Sequence, residues 1–240
     1  MKYDQKLKDA YYAATAEAYV QADHTPFIRK TMQEMLSVPF QGKPIEEYCK
    51  GASVLDLGCG TGRLFPYLKK SYVCGVDASK VMLSHARQVM KKYKLKGQLI
   101  QRDLFQFSPK RKFDIAISIG VLGEHIPFTS QLAKKVLEAL KPQGLFMFTI
   151  VPLKKRWLGL GAKQLLQWVS PPGPWKARLN KAAFMGYFGH SKKSIETILK
   201  QVGFKEVQCF TVLKDSFEHY EFVARKRSFG AQHGNVVARK

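Results

Sequence analysis

Residues 54–63 read Val54-Leu55-Asp56-Leu57-Gly58-Cys59-Gly60-Thr61-Gly62-Arg63. Four residues suited to a buried strand run straight into three glycines at alternate positions. Glycine lets a backbone approach a ligand closely and take positive φ. The spacing is G-x-G-x-G, not the G-x-G-x-x-G of a dinucleotide site. A helix is expected to begin at Gly62 and run over 62–69. Its first N–H groups would favour negative charge, a carboxylate as readily as a phosphate.

Outward from this loop, strands and helices alternate. Strands are expected over 53–57, 72–76, 98–102, 113–118 and 145–151. Helices fall over 79–93, with Ser79 as cap and Gly97 as stop, and over 129–140. This alternation predicts an α/β fold with a parallel sheet covered on both faces. Ahead of it, helices over 4–22, 28–36 and 45–49 form an N-terminal helical cap, residues 1–50. The main domain is expected at 51–226. Within it the alternation stalls at Pro152, and residues 152–190 hold all three tryptophans. They read as a lid inserted after the fifth strand. Ser191 then caps a helix ended by Gly203, two strands follow as a hairpin, and a basic tail, expected to be mobile, occupies 227–240.

In an open parallel sheet, ligands bind at the carboxyl ends of the strands. Asp77 ends the second strand, where a carboxylate can accept from both ribose hydroxyls. Asp103, ending the third strand beside Leu104, suits the amine and face of an adenine.

These stretches, in this order, resemble the class I S-adenosylmethionine-dependent methyltransferases over roughly residues 50–225. VLDLGCGTGR is similar to the family's first motif, and Cys74-Gly75-Val76-Asp77-Ala78-Ser79 to its second. Gln101-Arg102-Asp103-Leu104 resembles the third. Residues 113–120, ending Ser118-Ile119-Gly120, resemble the fourth, and Leu140-Lys141-Pro142-Gln143-Gly144-Leu145-Phe146 the lead into the fifth strand. The resemblance implies a doubly wound, mostly parallel seven-stranded sheet whose last strand is antiparallel. It implies S-adenosylmethionine as cofactor and S-adenosylhomocysteine as product. Asp56, Gly58, Cys59, Gly60, Thr61 and Gly62 would then lie along the amino-acid part of the cofactor. Asp77, Ala78, Met82, Asp103, Leu104, Ile119 and Gly120 would complete its site, with Met82 on the adenine. Plainer readings stand beside these: Asp56 as a turn cap, Cys59 as a small packing residue, Arg63 as a solvated helix charge and Asp114 as a strand anchor.

Methyl transfer from an activated donor depends mainly on alignment, so a dedicated base is optional. The candidate base is His125, in Gly123-Glu124-His125-Ile126-Pro127, with an intrinsic pKa suited to that work. Glu124 and His190 are alternatives. Tyr12, Tyr19, Trp157, Trp168 and His190 are candidate substrate contacts. No metal ligand set is apparent. The sequence lacks the Asn/Asp-Pro-Pro-aromatic signature of adenine or glutamine N-methyltransferases and the paired-glutamate loop of protein arginine methyltransferases. That favours a small-molecule or lipid-like acceptor.

The net charge is +22. Residues 1–50 hold 7 basic and 7 acidic side chains, so the excess lies beyond them. Between Glu138 and Glu196 ten Lys or Arg occur and no acid. Tryptophans among basic residues suit an anionic membrane surface or an apolar, acidic substrate. An RNA acceptor is the second reading, resting on the charge alone, and an inactive cofactor-binding regulator is the third. Four scattered cysteines and the absence of a leader-like segment lead to the expectation of a soluble, cytoplasmic protein.

Overall fold

The strand carrying the glycine loop lies inside the sheet. In the computed structural model, which describes residues 5–150, 190–214 and 217–227, β3 (Ser53–Leu57) pairs in parallel with β4 (Tyr72–Asp77) on one side and β6 (Phe113–Ser118) on the other. β5 (Lys96–Gln101) extends the sheet beyond β4, and β7 (Leu140–Ile150) beyond β6. β9 (Phe217–Lys226) enters antiparallel between β7 and β8 (Phe204–Lys214). The order is therefore β5-β4-β3-β6-β7-β9-β8, seven strands with one reversed. That is the sheet the family resemblance implies. A small hairpin, β1 (Pro39–Phe40) and β2 (Lys43–Pro44), precedes it.

Two cores cover the two faces. On one, α2 (Pro26–Leu36), α3 (Ile45–Cys49) and α4 (Lys80–Lys92) bury Met32, Met35, Ile45 and Leu83 against Val54, Val73 and Ile117. On the other, α5 (Ser130–Ala139) and α6 (Lys192–Val202) bury Leu132, Val136 and Leu199. A phenylalanine stack fills this second core: Phe148 lies 4.4 Å from Phe146, 4.8 Å from Phe128 and 5.4 Å from Phe222 between ring centroids. Helix α1 (Gln5–Asp23) precedes α2. Among the described residues, no helix is long and apolar enough to cross a membrane.

Three local expectations are corrected. No α-helix follows the glycine loop; the segment makes turns and a single 3-10 turn at Phe65–Tyr67. Pro66 has no N–H to give to an intrahelical bond, and Gly62 stands at φ +83°. The anion site expected at a helix N-terminus is therefore missing there. Gly97 does not stop α4, which ends at Lys92 with Lys94 at φ +51°. Gly97 lies inside β5, where a Cβ would meet the Val73 carbonyl oxygen at 1.8 Å. Finally, α2 starts at Pro26, not Ile28, because Thr25 caps it by accepting from the Ile28 N–H. Proline at the first helical position gives up only a donor with no partner anyway. The expected lid, with Trp157 and Trp168, lies outside the described residues apart from His190, and so does the tail beyond Arg227.

Candidate active site

Strand order reverses around β3, so the carboxyl ends of β4 and β6 turn their loops apart and leave a crevice. A cavity of about 290 Å³ fills it. The cavity brings together residues from the first four motifs: Asp56, Gly58, Cys59, Gly60 and Thr61 from the glycine loop, Asp77, Ala78 and Met82 after β4, Asp103 and Leu104 after β5, Ile119 and Gly120 after β6. Tyr12, Tyr19, Glu124 and His125 line it as well.

Asp77 holds the loop in place. Its Oδ2 accepts from the Gly60 N–H and its Oδ1 from the Ser79 N–H, both at 2.9 Å. Gly58, at φ +75°, passes so close to Val121 that a Cβ would fall 2.6 Å from that side chain. Gly60 has open space where its Cβ would be, so the bare backbone faces the cavity. Gly62 is different. It does not line the cavity, and its missing Cβ makes room for the Phe65 ring and for Ala86 on α4. Asp103 bonds the turn after β5, its Oδ1 accepting from Phe105 N–H at 2.7 Å. Cys59 is buried, and burial pushes its thiol well above the ordinary range, which disfavours the reactive thiolate. Asp114 anchors β6 to β3. Partial burial opposes its charge, but bonds from Ser53 and Lys141 outweigh that and hold its carboxyl below the ordinary value.

The cavity is acidic although the protein is strongly basic. Asp56, Asp77, Asp103 and Glu124 line it, against one arginine. Burial pushes Asp56 up to about 7, with the neighbouring Asp77 charge adding to the effect. Burial also raises Asp77, despite the backbone bonds it accepts. Two crowded, desolvated carboxyls disfavour a pyrophosphate and favour a cation, whose charge would let both ionise. Asp56 and Asp77 with the open Gly60 backbone thus fit S-adenosylmethionine, which carries a sulfonium and an ammonium group.

Several contacts escape the sequence. Arg63 is not a solvated helix charge; its Nε pairs with Asp23 Oδ1, and the Thr61 hydroxyl donates to Asp23 Oδ2. The last residue of α1 is thereby tied to the glycine loop, and the Arg63 guanidinium lies 5.9 Å from the Tyr19 ring centroid. The Tyr12 hydroxyl is 3.4 Å from His125 Nδ1. Thr149, fully buried on β7, accepts from the Gly120 N–H. His219 Nε2 on β9 lies 3.8 Å from Glu124 Oε1. Two positions after His219, Glu221 is fully buried, and neither of its carboxyl oxygens has a hydrogen-bond partner. Burial pushes it up to about 9. His190 does not line the cavity; its Nε2 accepts from the Phe128 N–H at 3.3 Å, and burial lowers its pKa.

Comparison with known proteins agrees with this geometry. A family model described as a methyltransferase domain matches residues 23–209. The chain belongs to the class I S-adenosylmethionine-dependent methyltransferase family, and its cofactor is S-adenosylmethionine. Among relatives, it is 29% identical over 126 residues to a ubiquinone biosynthesis O-methyltransferase of Bradyrhizobium diazoefficiens, covering 50% of this chain and 49% of that one. It is 29% identical over 143 residues to a tRNA (carboxymethyluridine(34)-5-O)-methyltransferase of Arabidopsis thaliana, covering 54% of this chain and 33% of that one. The chain thus spans about half the length, or less, of these relatives. The fold matches that of magnesium protoporphyrin IX methyltransferase from Synechocystis PCC 6803 with bound SAH, with TM-score 0.63 and 18% identity, covering 93% of this chain and 100% of that one.

Proposed function

We propose that this methyltransferase acts on a small-molecule acceptor, with His125 as the base that takes the acceptor's proton. The observation that carries this reading is the Tyr12–His125 contact on the wall of the cofactor cavity. When bound, S-adenosylmethionine supplies an electrophilic methyl group. Asp56, Asp77 and Asp103 hold that donor from the strand ends, while Glu124, His125 and Tyr12 face the acceptor. In this reading the His125 Nδ1–H donates to the Tyr12 oxygen, which orients the ring and leaves Nε2 to accept a proton. The Tyr12 contact also brings α1 over the cavity, where it excludes water from the transfer.

The relatives' names support a small acceptor: one is a ubiquinone biosynthesis O-methyltransferase, and the fold neighbour a magnesium protoporphyrin IX methyltransferase. An RNA acceptor has a named relative too. However, the cavity is acidic at its lining, which repels a phosphate backbone. A general base contributes roughly 10²–10⁴-fold. His125→Ala should therefore lower kcat/KM on a fractionated metabolite extract with labelled methyl donor by about that range, while cofactor binding measured by calorimetry stays intact. Tyr12→Phe should lower it by about tenfold. Unchanged turnover by His125→Ala across pH 6–8 would falsify the base assignment.

A further inference from the structure

The far end of the sheet carries the opposite charge. Lys69 and Lys70 precede β4, Lys96 opens β5, and Arg111 precedes β6. Helix α4 runs back from the cavity and ends at the same pole, with Lys91 and Lys92 in its last turn. Ring contacts show that these segments meet. Lys69 Nζ lies 5.2 Å and Lys92 Nζ 5.7 Å from the Tyr93 centroid. Arg111 Cζ lies 4.2 Å from the Tyr72 centroid. Residues 69–72 join the two clusters into one patch whose lysines and arginine are all exposed. Residues 91–97, where α4 ends and β5 begins, contribute four Lys and no acid. The six residues of β4, at ~3.3 Å each, put the patch roughly 20 Å from Asp77 and the cavity.

We infer that this amino-terminal pole of the sheet is a docking surface for an anionic lipid bilayer. Its chemistry selects that partner over nucleic acid. The charge is mostly lysine, a compact ammonium suited to many separate headgroups, not the planar fork that reads a phosphate bidentately. Both tyrosine rings already carry cations, so neither offers a bare face for a base to stack on. The cavity does not reach the patch. Docking by this pole leaves the cavity facing away from the bilayer. The inference rests on charge and topology and stands whichever acceptor the cavity takes.

Co-sedimentation of the full chain with phosphatidylcholine vesicles, with and without phosphatidylglycerol, tests it. Binding should require phosphatidylglycerol and vanish at about 1 M salt, where screening acts within ~3 Å. One lysine near an anionic leaflet contributes about fivefold, equivalent to ~1 kcal/mol. Reversing three of them, Lys69→Glu with Lys91→Glu and Lys92→Glu, should cut partitioning by at least about a hundredfold. Reversing Lys134, Lys193 and Lys200, exposed on α5 and α6, changes net charge equally and should leave most of it. S-adenosylmethionine calorimetry reports whether each variant is folded; should the reversal disturb folding, Lys→Gln at the same three positions replaces it. Equal partitioning onto phosphatidylcholine alone, equal loss in both variants, or single-stranded RNA bound through the pole more tightly than the vesicles overturns the inference.

Discussion

At the scale of single residues, burial and backbone geometry decide what the glycine loop can do. Gly58 needs both a positive φ and the absence of a Cβ beside Val121. Gly58→Ala should cost about 1–3 kcal/mol and weaken cofactor binding, read by denaturant unfolding and calorimetry. Adding Val121→Ala should recover only the clash, because the φ strain remains. Asp56 gives a pH signature. Its folded pKa of about 7 lies above the ordinary 3.8. Its contribution to apo stability is thus full below pH ~4 and lost as pH rises through ~7. A bound cation favours the ionised form, so S-adenosylmethionine affinity should rise roughly tenfold from pH 6 to pH 8, as the ionised fraction does. Proton release near pH 7 in buffers of different ionisation enthalpy, absent in Asp56→Asn, checks this. The glycines and Asp56 were legible in the sequence because their roles are set within one strand and its turn. The division of labour among the glycines was not: Gly62 serves α4 and Phe65, and only packing shows that.

At the scale of elements, α1 brings Tyr12 and Tyr19 to the cavity, and β9 carries groups that no motif announced, His219 beside the lining Glu124 and the buried Glu221. Glu221 sits opposite Thr149 on β7 and Phe210 on β8, with no partner for either oxygen. At about 9, its folded pKa stands far above the ordinary 4.5. It therefore remains protonated at neutral pH, and the folded state must take up a proton to keep it buried. One unit is ~1.4 kcal/mol, so at pH 7 this costs about 3 kcal/mol. Glu221→Gln should stabilise the protein by about 2–3 kcal/mol at pH 7, more at pH 9, and hardly at pH 4. Denaturant midpoints across that range measure it; a variant destabilised at pH 9 would show that the carboxyl is charged and held. Nothing in the sequence marked Glu221, since alternation in a central strand says which face a residue takes but not what covers it. Asp23 was equally silent: it closes α1 and meets Thr61 and Arg63 across 38 and 40 positions.

At the scale of the molecule, an acidic cavity and a basic pole occupy opposite ends of one sheet. The N-terminal helices are unequal partners in it. Met32, Met35 and Leu36 of α2 are each about 1% exposed and share a core with Val54 and Val73. Each contributes roughly 1.5–3 kcal/mol of burial, so their sum rivals the ~5–15 kcal/mol stability of a domain. Removing residues 1–37 should abolish soluble folding. Removing residues 1–23 should leave a cooperative thermal transition but weaken cofactor binding about tenfold, because the Asp23 latch and both tyrosines go with α1. The sequence alone determined the family, the cofactor and the positions of all seven strands of the main sheet along the chain. These follow from short-range physics, the pleat of a strand and the sterics of the glycine turn after it, which a motif of ten residues contains. Only the tertiary structure decided that Tyr12 meets His125 across 113 positions, that His219 reaches Glu124, and that the lysines gather at one pole. Those neighbours are set by how the strands are ordered and what packs on them, and no local pattern in the chain encodes such a distance.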